Sequence, residues 1–429
     1  MSQDAVVTES TEDIKLTLKR ALSAMGSLRY SLVAISTVAL LCVVLDSTNE
    51  ARATPPTAQL SGLVQTATGV TKLDDTNVDA RPLTSVYRAR FWVQGAWEQR
   101  ASYMVHFAYD RLGADEFALL QGKPLSSARS PAVQDIILHL NVLPKQRLIL
   151  TTGFFRPTVG QENNTVVIKT VTLEPALTST LVRRGTVEQG HGRSAGANLG
   201  SRIDLGELSL QLHLGMFMPT VSGSLDDLSY QQSVGTQRSA LISGAMRLVW
   251  GKRDQLKNGN LLFFTSPTQE GRAVHVGASG AYQGATDRFR ESQVVTAFAS
   301  AHLGGALLDG EWVNAKRFNR DGVVVSNQAW HARVAYNIQL GAHTLTPFAL
   351  YSALSGAQVS EDAWRGERSA LNLFAGSGAL WDAGVQLFID DYKLRLGLHL
   401  MRATIEDTEV SELPMKSGMS GLLTVHMHI

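Results

Sequence analysis

The run YKLRLGLHLM, Tyr392 to Met401, constrains this chain more than any other stretch. Leucine occupies positions 394, 396, 398 and 400, with Lys393, Arg395, Gly397 and His399 between them. A period of two puts the leucines on one face of an extended strand and the polar residues on the other. The design recurs along the chain. In SVYRARFWVQGAW, Tyr87, Ala89, Phe91 and Val93 oppose Arg88, Arg90 and Gln94; in SYMVHFAYD, Tyr103, Val105, Phe107 and Tyr109 oppose His106 and Asp110. IILHLNV, ELSLQLHLGMF and AWHARVAYNIQL repeat it, with His139, His213, His331 and Arg333 on the polar side. Short links near 99–101, 143–145, 204–206 and 390–391 alternate with long polar segments at 157–192, 218–236, 251–272, 354–370 and 402–418.

A soluble sandwich also alternates, but three features point to lipid. The apolar faces run over four to six alternate positions, and a tilted strand of about 9–11 residues spans a bilayer. Aromatic residues sit near strand ends (Trp97, Tyr103, Trp250, Trp330, Trp381, Tyr392), as in interfacial belts. The polar faces mix Gly, Ser, Asn, Gln, His and Arg, which suits a wet interior. Hydrocarbon does not satisfy an open strand edge, so the sheet must close. The expectation is therefore an all-β, closed antiparallel transmembrane barrel with short periplasmic turns and long outer loops. About 15 strands are countable, and bacterial barrels are even-numbered, so 16 is expected, with 14 or 18 as alternatives. GLLTVHMHI, alternating to Ile429, is expected to close the barrel on the first strand.

At the amino end, Lys15, Lys19, Arg20 and Arg29 precede the apolar run YSLVAISTVALLCVVL and then Ala51-Arg52-Ala53. That order reads as a signal peptide over 1–53. An uncleaved anchor is the alternative, for which a run of 16 is short. Residues 54–82, rich in Pro, Thr and Asp, read as a flexible lead-in, leaving 83–429 for the barrel. The single cysteine, Cys42, lies in the apolar run, so disulfides do not frame the rest. A net charge of +1 and 18% charged residues give no basis for nucleic-acid binding.

Several segments resemble the phosphate-selective porin (porin O and P) family: LILTTGFFRPTVGQE at 148–162, GRSAGANLGS followed by GELSLQLHLGMF, DGEW at 309–312, and FIDDYKLRLGLHL. The resemblance implies an outer-membrane channel of about 16 strands, commonly a homotrimer, carrying anions through a lumen lined by basic residues. Two departures stand out: the chain ends in Ile429 rather than an aromatic, and it has no dense arginine ladder.

The expected pore-lining residues are Arg88, Arg90, Arg147, Arg247, Arg333, Lys393, Arg395 and His399, since rings of cationic side chains favour anions. Asp110, Asp309, Glu311, Asp382 and Asp390 share the polar faces, so the alternative is that these charges only solvate the lumen or pair across strands. Segment 157–192, bracketed by Arg156, Arg183, Arg184 and Arg193, or segment 218–236, is a candidate to fold inward and narrow the lumen. Eleven histidines, including His426 and His428 two apart, show no converging metal set. GRSAG, Gly192 to Gly196, matches G-x-S-x-G but opens a β segment instead of a strand-turn-helix elbow. The sequence thus reads as an outer-membrane porin for small hydrophilic solutes or anions, in contact with lipid and lacking cofactor, metal or catalytic residues. A soluble exported β-protein and a lipase-like barrel enzyme are the rivals.

Overall fold

The computed structural model describes residues 58–74, 79–97, 100–112, 132–143, 147–165, 170–187, 192–219, 239–251, 272–286, 289–320, 323–356, 373–389, 393–406 and 415–428. All belong to one compact unit, Pro56–Ile429. The expected signal peptide, Asp390, Tyr392 and nearly all of 218–236 lie outside them.

The chain runs β1 (Gln59–Leu73), β2 (Arg81–Trp97), β3 (Ala101–Leu112), β4 (Ala132–Leu143) and β5 (Leu148–Phe155), then α1 (Gln161–Asn164) and α2 (Leu177–Val187). β6 (Ser194–Leu205), β7 (Leu208–Met218), β8 (Leu241–Gly251), β9 (Arg272–Gln283), β10 (Glu291–Leu303) and β11 (Ala306–Phe318) follow. The remainder is β12 (Val324–Tyr336), β13 (Ile338–Leu340), β14 (His343–Ser355), β15 (Ser377–Phe388), β16 (Leu394–Ile405) and β17 (Gly418–His428). Each pairs antiparallel with its neighbours, and β1 pairs with both β2 and β17, which closes the sheet. β12 and β13 form one stave, because both pair with β14 in an unchanged register. Their break falls opposite Pro347, which has no N–H to give the ladder. The barrel therefore has sixteen staves, the expected number.

The solvent logic of a soluble protein is inverted. On β16, Leu398 and Leu400 are 57% and 58% exposed on the outside, while Arg395 and His399 are 3% and 1% exposed on the inside. Trp312 pairs with Trp330, Trp330 lies 5.0 Å from Tyr351, and Tyr351 lies 4.4 Å from Trp381. From Trp330 to Leu340 every outward position is apolar, and beyond Trp330 come Gln328 and Ser326. At about 3.4 Å per residue and a tilt of about 45°, that stretch stands about 25 Å tall, the height of an outer-membrane apolar band.

Two sequence expectations need correction. Residues 54–82 are not a flexible lead-in, since β1 and the start of β2 lie there. The period was masked because Leu63 and Leu73 point inward, while Thr66 and Thr68 point outward. Tyr87 does not face lipid. Gln65 pairs with Arg88 and Thr66 with Val86, so Tyr87 is the extra residue of a β-bulge and, like Arg88, is buried. One end of the barrel carries tight turns such as Gly206-Glu207, Gly304-Gly305 and Gly341-Ala342. Gly206, Gly304 and Gly341 take φ values of 66, 65 and 64°, which such two-residue turns require.

Candidate functional site in the lumen

Between β5 and β6 the chain leaves the wall and crosses the interior. Its described parts, 156–165 and 170–187, carry α1 and α2. Of the two candidate constricting segments, this one is placed inside the barrel by its contacts.

The docking of α2 is apolar. Leu177, Leu181 and Val182 are fully buried in one cluster with Val294, Val313, Ala315, Val325, Ala329 and Leu354 from the inner faces of β10, β11, β12 and β14. Gly185 permits the close approach, since a Cβ there would sit 2.6 Å from Val294 Cγ2. The helix end is held by Arg317, whose Nη2 donates to the carbonyls of Arg184 at 2.7 Å and Gly185 at 3.3 Å. A cation on the last carbonyls also complements the helix dipole.

α1 is fixed by charge. Glu162 accepts from Arg333 Nη2 at 2.6 Å, and Arg333 Nε donates to Asp309 at 2.9 Å. His331 Nε2 lies 3.0 Å from Asp309, and its Nδ1 lies 2.9 Å from Thr178 Oγ1. The amides of Gln161 and Glu162 donate to Glu311 at 2.7 and 3.1 Å. Burial alone would push the Glu162 carboxyl up, but the Arg333 guanidinium and His331 hold it below its ordinary value.

The stretch 170–174 is tied to the wall beyond β14, at β15, β16 and β2. Arg395 donates to Thr170 O at 2.8 Å, Gln386 to Val171 O, and Leu173 N to Asp382 at 3.0 Å. Arg88 donates to Leu173 O at 2.9 Å and pairs with Glu174 at 3.3 Å, while the inward Tyr87 hydroxyl also bonds Glu174. His399 supports Asp382 from 3.1 Å.

A different cluster lies where the loop leaves and rejoins the wall. Arg193 makes a two-point pair with Asp135 at 2.7 and 3.1 Å, and His106 reaches the same carboxylate at 2.8 Å. Arg90 pairs with Asp110 through Nε at 3.0 Å and through Nη2. Arg156 donates to the backbone carbonyl of Asn163, and Arg183 Nε donates to Asn163 Oδ1 at 3.2 Å. Among the described residues, four guanidiniums therefore meet two carboxylates here. Burial, followed by repulsion from Arg193 and Arg183, pushes the Arg156 guanidinium well below its usual value. Burial, Arg193 and Arg90 bring Arg183 down to about 10, still charged at neutral pH.

The eight expected pore-lining residues divide by place. Arg88, Arg333 and Arg395 are inward and fasten the loop, with His399 behind Asp382. Arg247 is inward and buried against Gln211, at 3.1 and 2.6 Å. Arg90 is inward and partly exposed. Arg147 and Lys393 are exposed at the rim just before β5 and β16, where their carbonyls accept from Arg202 N and His428 N and their parity is that of the inward Ile149 and Arg395. Residues not anticipated include Glu162, Asn163, Glu174, Asp135 and Arg317. Parity alone would have found Arg317, which follows Asp309, Glu311, Val313 and Ala315 on the inner face of β11. Ser194 of the G-x-S-x-G match opens β6 opposite Phe155 and forms no elbow. Among the described residues no three His, Cys, Asp or Glu side chains converge on a metal position.

No family model and no curated protein matches the sequence. Solved structures do resemble the barrel. OprB of Pseudomonas putida, in a high-pH structure, gives a TM-score of 0.55 at 10% identity over 87% of this chain and 94% of that one. The anion-selective porin of Comamonas acidovorans gives 0.53 at 12% identity over 87% of this chain and all of the other. OmpF of Salmonella typhi, complexed with daunomycin, gives 0.53 at 12% identity over 87% and 97%. At such identities the likeness establishes the fold alone, and that fold is the porin barrel of bacterial outer membranes.

Proposed function

We propose that this protein is an outer-membrane channel through which small hydrophilic solutes diffuse passively, with a preference for anions. One observation carries the reading: a segment crosses a polar lumen, pinned to the wall on several sides, and where it leaves and rejoins the wall the described residues place four guanidiniums beside two carboxylates. Solutes are then filtered by size at the loop and by sign at Arg90, Arg156, Arg183 and Arg193, because fixed cations replace part of an anion's lost hydration. A phosphate preference has less support, since the arginines form one cluster instead of a ladder. A homotrimer is the assembly implied by the porin-like fold and the family resemblance.

The test is reconstitution into a planar bilayer across a KCl gradient. Stepwise conductance with a reversal potential on the chloride side is expected. Absence of conductance would remove the channel reading, and a potassium-side potential would remove the anion preference.

A further inference from the structure

Asn163 sits at 0% exposure at the centre of the arginine cluster. Its backbone carbonyl accepts from Arg156, its Oδ1 accepts from Arg183 Nε at 3.2 Å, and its Nδ2 donates to Val159 O at 3.2 Å. Among the described residues, the carboxylates nearest the cluster are already engaged. Glu162 is held by Arg333, Glu174 by Arg88, Asp110 by Arg90, and Asp135 by Arg193 and His106. Arg156 and Arg183 take neutral acceptors instead. The Nε of Arg156 is buried with no hydrogen-bond partner among the described residues.

A carboxylate would serve those two forks better than an amide, because charge-assisted bonds to guanidinium are about twice as strong as neutral ones. At 163 the chain has the amide, a side chain of nearly the same shape without the charge. The loop supplies the rest of the alignment. Gly192, at φ 71°, leaves room for the Arg183 stem, which a Cβ there would meet at 2.4 Å.

We propose that Asn163 is the specificity-determining residue of the channel: it holds Arg156 and Arg183 through neutral acceptors, so that no carboxylate at this position offsets them before a passing anion. This rests on the channel reading above and adds the residue that sets its sign. Asn163 need not touch the ion; it acts as a positioning residue through the two arginines.

The experiment compares reversal potentials of the full-length protein and three variants in planar bilayers across a KCl gradient. Asn163→Asp places a carboxylate between the guanidiniums with the same geometry, and is expected to lower the chloride-to-potassium permeability ratio severalfold at little change in single-channel conductance. Asn163→Ser, small and neutral, is expected to keep the wild-type sign. Arg183→Gln is expected to shift the potential in the same direction as Asn163→Asp. A wild-type potential in Asn163→Asp overturns the proposal, whichever way Arg183→Gln behaves. An equal loss of selectivity in Asn163→Ser also overturns it, because the lack of a carboxylate at 163 would then not be what sets the sign. The anion preference is judged separately, by the absolute sign in the wild type. A neutral wild type made cation-selective by Asn163→Asp would refute that preference and support Asn163 as the determinant.

Discussion

Arg333 and Arg183 lie on opposite sides of the same loop crossing and have different roles. Arg333 is buried between Glu162 and Asp309 and sits within a closed set of ion pairs and hydrogen bonds. Among the described residues Arg183 finds only the amide oxygen of Asn163, and it remains partly exposed. What separates a structural guanidinium from a permeation guanidinium is thus the charge balance of its surroundings, not its presence on an inner face. Arg88 and Arg395, expected to line the pore, belong with Arg333, since both spend donors on the loop's backbone.

The most damaging way to break this contrast is Arg333→Met. It would leave Glu162 and Asp309 as buried carboxylates without their shared partner, at a cost of about 3–5 kcal/mol. The thermal midpoint of the detergent-folded barrel should fall, and single-channel currents should become noisy as the loop loosens. Next in size is Gly185→Val, which drives a side chain into Val294 and should cost about 1–3 kcal/mol by overpacking. The same midpoint reads it, and ion selectivity should follow only as far as α2 shifts.

Acid probes the paired side without mutation. The Glu162 carboxyl is held below its ordinary 4.5, so its stabilising contribution is complete above that value and is lost as pH falls through the depressed one. The part of the fastening that Glu162 supplies should therefore hold from neutral pH to about 4.5 and be lost only under stronger acid, read as single-channel noise. Noise that begins near neutrality would assign the fastening to other groups. The smallest structural effect belongs to Arg183→Gln. It removes no ion pair and should change stability by under about 0.5 kcal/mol, while its reversal potential moves toward cations.

The sequence disclosed the barrel where each face kept one chemistry. In YKLRLGLHLM the leucines face outward and Arg395 and His399 inward, as the alternation requires. It hid β1, where threonine serves outside and leucine inside, because Thr66 and Leu63 each sit on the face their polarity argues against. It also hid the bulge at Tyr87, since one extra residue in a strand leaves no local mark. The lumen side was legible as a list of basic residues but not as roles. Parity says that Arg88 and Arg90 point inward. Whether each meets a loop carbonyl, a carboxylate or water depends on a segment folded across from β5, and that is a long-range fact. The apolar inner positions Val294, Val313, Val325 and Leu354 were the available clue, because an inner face carrying valine and leucine needs something to cover it.

The central claim, that the pinned segment between β5 and β6 sets the channel's size, is tested most directly by replacing residues 170–187 with a short Gly-Ser linker and recording single channels in symmetrical KCl. A severalfold rise in unit conductance, with the barrel still heat-modifiable on a gel, is the predicted result. A folded variant with wild-type conductance would contradict the account.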